Sequence, residues 1–207
     1  FFVFIPFCPS RCKYCSFISA DIKSAKKHVD DYVTALIDEI NFSKQFIKNL
    51  RSIYIGGGTP VSLGDEHLER ILTAIDDINT GVEFTVEAGR PDAITLSNLQ
   101  ILKRHKVTRI CINPQSFLDK TLVALGRNHT AQDIEEKFML AKDMFDINMD
   151  LIAGLEGESF EDFKYSLDKA VSLSPQNITV HTLCIKRGSR LALTESRLSG
   201  QVVDKMV

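Results

Sequence analysis

Along the chain, six short runs rich in β-branched and aromatic residues alternate with longer stretches whose apolar residues recur every three or four positions. The first pattern predicts strands at Phe1–Pro6, Ser52–Ile55, Glu83–Glu87, Arg109–Ile112, Asn148–Ile152 and Asn177–Thr182. The second predicts helices near His28–Lys48, Asp65–Asp77, Thr95–His105, Thr130–Met144 and Phe160–Leu173, with a short helical piece between Ser116 and Arg127. Stop signals agree: Thr80-Gly81 follows the second helix, and Ser174-Pro175 ends the fifth.

Strand–helix alternation of this regularity points to a parallel sheet built from right-handed βαβ units. Six units make either an open doubly wound sheet or most of a β/α barrel, and periodicity alone does not separate the two. The unusual residues cluster at or near the carboxyl ends of the strands. Cys8 follows the first, Gly56-Gly57-Gly58-Thr59-Pro60 the second, and Asn113-Pro114-Gln115 the fourth. Glu87 closes the third, Asp150 lies in the fifth, and His181 is late in the sixth. Ligands bind at that end of parallel sheets and barrels alike, so a single functional mouth is expected.

Composition narrows the classes. With 207 residues, 44% hydrophobic and 25% charged, the chain can bury one sizeable core. A formal charge of −2 supplies no basic field for nucleic acid and no polybasic membrane patch. No apolar run approaches the roughly 20 residues of a membrane span, and Phe1–Phe7 is too short for a signal peptide. Five cysteines, three of them crowded together, do not form a disulfide framework, and a reducing, cytoplasmic setting is expected. Residue 1 already lies inside a strand-like run, and Gln201–Val207 reads as the opening of a helix. The expectation is therefore one domain, 1–207, cut at both ends from a longer protein.

The chemistry starts with Cys8, Cys12 and Cys15, three thiols in eight residues. Structural zinc takes four ligands, usually as two pairs, and there is no second pair; His28, the nearest histidine, falls at the expected start of a helix. A 4Fe–4S cluster on three cysteines leaves one iron open for a small molecule. Zinc and unliganded thiols remain the alternatives. The glycine run lacks the Gly-Lys-Ser/Thr ending of a P-loop, so it is either a tight turn or a place where backbone approaches a ligand. Glu87 and Asp150 are acidic residues in apolar strands and need partners if buried, whereas Arg127 alone reads equally well as a solvated helix-end charge.

Cys8-x3-Cys12-x2-Cys15 after a first strand, with Tyr14 before the last cysteine, resembles the signature of the radical S-adenosylmethionine superfamily. The resemblance implies an α/β fold, a partial (β/α)6 barrel of parallel strands with outer helices. It implies a 4Fe–4S cluster on the three cysteines, with S-adenosylmethionine chelated at the open iron. One-electron cleavage then gives a 5′-deoxyadenosyl radical that abstracts a substrate hydrogen. By the same resemblance, Gly56, Gly57, Gly58 and Thr59 match the element that meets the methionyl amino group. Glu87, Gln115, Arg127 and Asp150 match residues holding the ribose, adenine and methionyl carboxylate. An electron donor such as a flavodoxin or ferredoxin is implied as a partner.

Phe4-Ile5-Pro6-Phe7-Cys8, Gly57-Gly58-Thr59-Pro60, Gln115-Ser116-Phe117, Leu125-Gly126-Arg127 and Asp150–Leu155 together resemble the oxygen-independent coproporphyrinogen III oxidase group, which includes haem-chaperone paralogues. Val86–Asp92, Ile110–Gln115 and Thr179–Leu183 with Lys186-Arg187 resemble its HemZ-like branch. The resemblance implies oxidative decarboxylation of two propionates of a porphyrinogen, or else haem binding and delivery. Three departures bear on the substrate rather than the cofactors. Phe17 stands where the group's dehydrogenase has a fourth cysteine, Phe2 where it has a tyrosine, and Ala88-Gly89-Arg90 where it has Ala-Asn-Pro. Arg90, Lys186, Arg187 and Arg190 are candidates for substrate carboxylates, and His181 for orienting substrate or donating a proton. Cys111 and Cys184 read as buried structural thiols.

Overall fold

The computed structural model describes residues 1–193. The helix expected at Gln201–Val207, and the end of the expected domain, lie outside the described residues. Six strands form one sheet: β1 (Phe2–Ile5), β2 (Ser52–Gly57), β3 (Glu83–Gly89), β4 (Arg109–Gln115), β5 (Asp146–Ala153) and β6 (Asn177–Thr182). Every neighbouring pair is parallel and the spatial order equals the chain order. This is the singly wound half of the sequence alternatives, with β1 and β6 at the edges. The crossovers carry α1 (Ile22–Ser43), α2 (Asp65–Thr73), α3 (Leu96–Arg104), α4 (Asp119–Ala124), α5 (Ala131–Ala141) and α6 (Phe160–Leu173). Among the described residues, no helix is long and apolar enough to cross a membrane.

Three helix starts follow from reciprocal caps. Thr95 with Asn98, Thr130 with Asp133, and Ser159 with Asp162 each satisfy two otherwise orphaned backbone donors. Helix α1 starts six residues before the expected His28, because the Asp21 carboxylate accepts from the Lys23 and Ser24 N–H groups. His28 is therefore a mid-helix residue. At the other end of α2, the expected continuation to Asp77 is broken into a separate 3-10 turn, Asp76–Ile78.

Side-chain alternation divides the sheet into two chemistries. Ile53, Ile55, Phe84, Val86, Ile110, Ile112, Ile147, Met149 and Leu151 point to one face and form the core beneath the helices. Each contributes about 1.5–3 kcal/mol by leaving water. The intervening positions, Tyr54, Thr85, Glu87, Cys111, Asn113, Asn148, Asp150, Thr179 and His181, line a cavity of about 750 Å3 on the opposite face. A one-residue slip in β3, β4 or β5 would put a carboxylate or amide into the core, so register is tightly specified. Two register irregularities, Val86/Gly89 in β3 and Ile112/Gln115 in β4, lie at the carboxyl ends, where bulges re-aim side chains toward a site.

Candidate active site

The three close cysteines sit on a loop locked from several sides. Phe7–Cys8 pairs with Ala20–Asp21 in a two-residue parallel ladder that closes the loop at its base. Lys13 donates its N–H to the Leu125 carbonyl at 3.0 Å, Ser10 Oγ donates to the Gly126 carbonyl at 3.0 Å, and Leu191 donates to the Lys13 carbonyl at 3.0 Å. Cys8, Cys12 and Cys15 all line the carboxyl-end mouth of the cavity.

The glycine run shapes this loop from below. Gly58 donates to the Ile5 carbonyl and Thr59 to the Phe7 carbonyl, both at 2.7 Å. A Cβ on Gly58 would lie 2.4 Å from the Phe7 carbonyl oxygen, so only glycine allows the end of β2 to pass so close to the residue before Cys8. Gly57 adopts φ +109, and a Cβ there would strike the Phe4 ring at 2.6 Å. Gly57, Gly58 and Thr59 also line the cavity. The expected glycine turn and the expected close approach are thus both present, and for Gly58 the approached group is the protein's own backbone. At Gly56 the clash would be with the Tyr54 ring.

Cationic and hydroxyl donors surround the sulfurs. Thr59 Oγ1 is 3.7 Å from Cys8 Sγ, and Arg127 and Arg90 Nη1 are 3.7 and 3.9 Å from Cys12 Sγ. Arg127 is 4% exposed, so the sequence alternative of a solvated helix-end charge does not hold. It also donates to the Tyr14 hydroxyl at 2.9 Å and to the Asn113 carbonyl. Tyr14 packs against Leu125, Ile152 and Leu155, which fixes the chain between the second and third cysteines. Burial pushes the Cys8 and Cys15 thiols above their ordinary range.

Farther in, the Tyr54 hydroxyl donates to Glu87. Burial raises the Glu87 carboxyl, Tyr54 opposes the rise, and the Asp150 charge adds to it. Asn148 Nδ2 donates to Asp150 Oδ1 at 2.7 Å, leaving the other oxygen of Asp150 4.0 Å from His181 Nε2. The His181 side chain is 59% exposed at the mouth. Gln115 is a buried non-glycine residue at φ +71, a left-handed conformation in which the Cβ of an L-residue crowds the neighbouring carbonyl, and so marks a constrained position.

Two tests bear on what these residues fit. Asn113 Oδ1, Gln115 Oε1 and Arg127 Nε are buried polar atoms without a protein partner, all on the cavity wall beside the cysteine loop. Buried polar atoms of this kind are normally paired, so a polar ligand fits here. Among the described residues, no three His, Cys, Asp or Glu side chains converge as a single metal ion requires. Three thiols on one loop, with cationic donors behind Cys12, fit the ligand set of an iron–sulfur cluster.

The structure therefore gathers Cys8, Cys12, Cys15, Tyr14, Gly57, Gly58, Thr59, Glu87, Gln115, Arg127, Asp150, Arg90 and His181 around one cavity. Lys186 lies on its rim, and Arg187 and Arg190 are exposed. Cys111 is buried, as expected, but faces the cavity; burial, with Glu87 and Asp150 adding to it, pushes its thiol up to about 12. The expectation for Cys184 is corrected: it is exposed, because β6 ends at Thr182 and Cys184 follows it beyond the sheet edge. Asn113, of the stretch that follows the fourth expected strand, also lines the cavity, as do Asn148, Thr85 and Thr179, whose only sequence signal is a polar residue at alternate positions of an otherwise apolar strand.

A parallel six-strand sheet with a three-cysteine loop at its carboxyl mouth defines a class, and the comparisons agree on it. The model of the Radical SAM superfamily matches residues 2–170, and the chain belongs to that superfamily. Its members use a 4Fe–4S cluster and S-adenosylmethionine. Within it, the chain is similar to HemZ and HemW proteins. It is 40% identical over 200 residues to the oxygen-independent coproporphyrinogen-III oxidase-like protein HemZ of Bacillus subtilis, covering 92% of this chain and 40% of that protein. It is 34% identical over 193 residues to the heme chaperone HemW of the same organism, covering 89% of this chain and 50% of that protein. The chain thus spans half or less of the length of these relatives. The solved structure of coproporphyrinogen III oxidase (HemN) from Escherichia coli superposes with a TM-score of 0.87 at 24% identity, covering 99% of this chain and 49% of that one, which establishes the shared fold.

Proposed function

We propose that residues 1–207 are the radical-generating core of an enzyme that oxidatively decarboxylates coproporphyrinogen III without oxygen. Cys8, Cys12 and Cys15 would hold the cluster, and the orphaned Asn113, Gln115 and Arg127 atoms with Glu87 and Asp150 would hold S-adenosylmethionine. Bound there, the pair would supply one-electron chemistry able to take a hydrogen atom from a propionate β-carbon; release of CO2 and transfer of the remaining electron to an external one-electron acceptor would leave a vinyl group. The chain's own part is positional. Tyr54 orients Glu87, Asn148 orients Asp150, and the apolar Tyr14 packing keeps the second and third cysteines in register. The observation that carries the reading is the alignment of three thiols and unpaired buried polar atoms on one cavity wall. The likeness to the oxidase-like HemZ supports this choice of substrate.

The exposed His181 and Cys184, both at the cavity rim, favour a second reading: a haem-delivery protein with the same cofactor core and these side chains as axial ligands. The full-length protein, reconstituted anaerobically and supplied with a flavodoxin or ferredoxin as reductant, decides between them. Substrate-dependent 5′-deoxyadenosine and CO2 from coproporphyrinogen support the first. A stoichiometric Soret shift with haem and no CO2 supports the second.

A further inference from the structure

As a substrate-carboxylate candidate, Arg90 should offer free N–H groups to the cavity. Instead it is 3% exposed, and four of its N–H directions are engaged within the protein. Nε and Nη2 fork onto the two oxygens of Asp92, each at 2.9 Å. Nη1 donates to Ser10 Oγ at 2.6 Å and to the Ser10 carbonyl at 3.2 Å, and lies 3.9 Å from Cys12 Sγ. The geometry is set locally. Gly89 turns the chain at φ +68, and Pro91 opens a 3-10 turn that presents Asp92 back to the guanidinium two residues earlier. Behind the pair, the fully enclosed His129 ring places Nδ1 3.5 Å from Asp92 Oδ1. Ser10, held by Arg90, is also tied to the Gly126 carbonyl. Strand end, cysteine loop and the 126–129 segment are therefore joined at one buried guanidinium.

We propose that Arg90 is a positioning residue for the cluster, not a substrate ligand: anchored by Asp92, it fixes the cysteine loop through Ser10 and directs positive charge at the Cys12 sulfur, raising the cluster's reduction potential. The inference rests on the reading that Cys8, Cys12 and Cys15 hold a cluster. Its physical basis is that reduction adds negative charge to the cluster. A donor held at a ligating sulfur in a buried setting stabilises the reduced state, and hydrogen bonds to cluster sulfurs are a recognised control of potential. The Arg90–Asp92 pair presents its positive end to the sulfur and its negative end away from it. Arg127, on the same sulfur, acts in the same direction.

The test is an EPR-monitored redox titration of the full-length reconstituted protein, with iron and sulfide counted first and no S-adenosylmethionine added. Arg90→Lys keeps charge but loses the fork. Arg90→Gln with Asp92→Asn removes both charges without leaving either one buried alone, which a single change would do. The expected result is a midpoint potential that moves to more negative values in both variants, further in the double one. Arg104→Gln, a remote and largely exposed position, should leave it at the wild-type value. If iron content and melting temperature fall but the remaining cluster titrates at the wild-type potential, Arg90 is merely structural and the proposal is overturned. A wild-type protein that takes up no cluster overturns the cluster reading, and this one with it.

Discussion

Gly58→Ala tests the link between the glycine run and the cysteine loop most sharply. The new Cβ would meet the Phe7 carbonyl oxygen at 2.4 Å and the Ile5 carbonyl oxygen at 2.9 Å, both backbone atoms. Neither can swing away as a side-chain tip would, so β1, β2 or the stretch leading to Cys8 must move. Overpacking of this kind costs typically 1–3 kcal/mol, and an immobile backbone target puts Gly58→Ala in the upper part, about 2–3 kcal/mol. For a chain of this size each kcal/mol lowers the melting temperature by about 2–4 °C, so a drop of ~5–10 °C is expected. Gly81→Ala is the matched control: nothing lies within 4 Å of its Cβ, and its φ of +88 leaves only a backbone cost. That cost is about 1–2 kcal/mol before the smaller gain from a stiffer unfolded chain. The assay is thermal unfolding alongside an iron and sulfide count after anaerobic reconstitution. Gly58→Ala should melt below Gly81→Ala and also lose cluster content, because the strain falls next to Cys8. A Gly58→Ala protein with wild-type melting and full cluster would refute the reasoning.

Replacing Cys8, Cys12 or Cys15 by Ala should abolish cluster assembly, whereas Cys111→Ala and Cys184→Ser should leave iron content unchanged. Tyr54→Phe removes the hydrogen bond that opposes the burial-driven rise of Glu87. Its folded-state carboxyl should then titrate higher still, moving the acidic limb of the pH–rate profile to higher pH. Far from the cavity, His105 and then Arg104 hold the Glu69 carboxyl below its ordinary value. A depressed carboxyl contributes stability above its unfolded pKa of about 4.3 and loses it as pH falls through the lower folded value. The urea-midpoint difference between wild type and Glu69→Gln should therefore be full at neutral pH and shrink under acid conditions; a difference independent of pH would contradict it.

The sequence made the strand–helix alternation and the cysteine loop legible because both are local. Phe160–Leu173 and Asn177–Thr182 lie where the pattern says, the helix starting at the reciprocal Ser159–Asp162 cap and stopping at Ser174, which turns into the left-handed region. The start of α1 was not legible, because Ile22–Lys27 holds few apolar positions and its stability comes from the Asp21 cap. Strands β3, β4 and β5 run beyond their apolar cores because neighbouring strands continue to pair with them. In the site, spacing pointed to Cys8, Cys12 and Cys15, but alternation says only that a residue faces inward. It does not say that the interior is a polar cavity, so Asn148, Thr85 and Thr179 are not legible as its lining. Arg90 looked like a free cation because its pairing with Asp92 depends on Pro91 turning the chain, a tertiary geometry that no helical spacing announces.

All of the proposed chemistry depends on the three-cysteine loop holding a 4Fe–4S cluster with one iron open to S-adenosylmethionine. The most direct measurement is the EPR spectrum of the reduced, anaerobically reconstituted full-length protein before and after adding S-adenosylmethionine. The expected result is a cluster signal whose g-values change when S-adenosylmethionine is added. A cluster signal that S-adenosylmethionine leaves unaltered, at concentrations that saturate the protein by equilibrium dialysis, would contradict it.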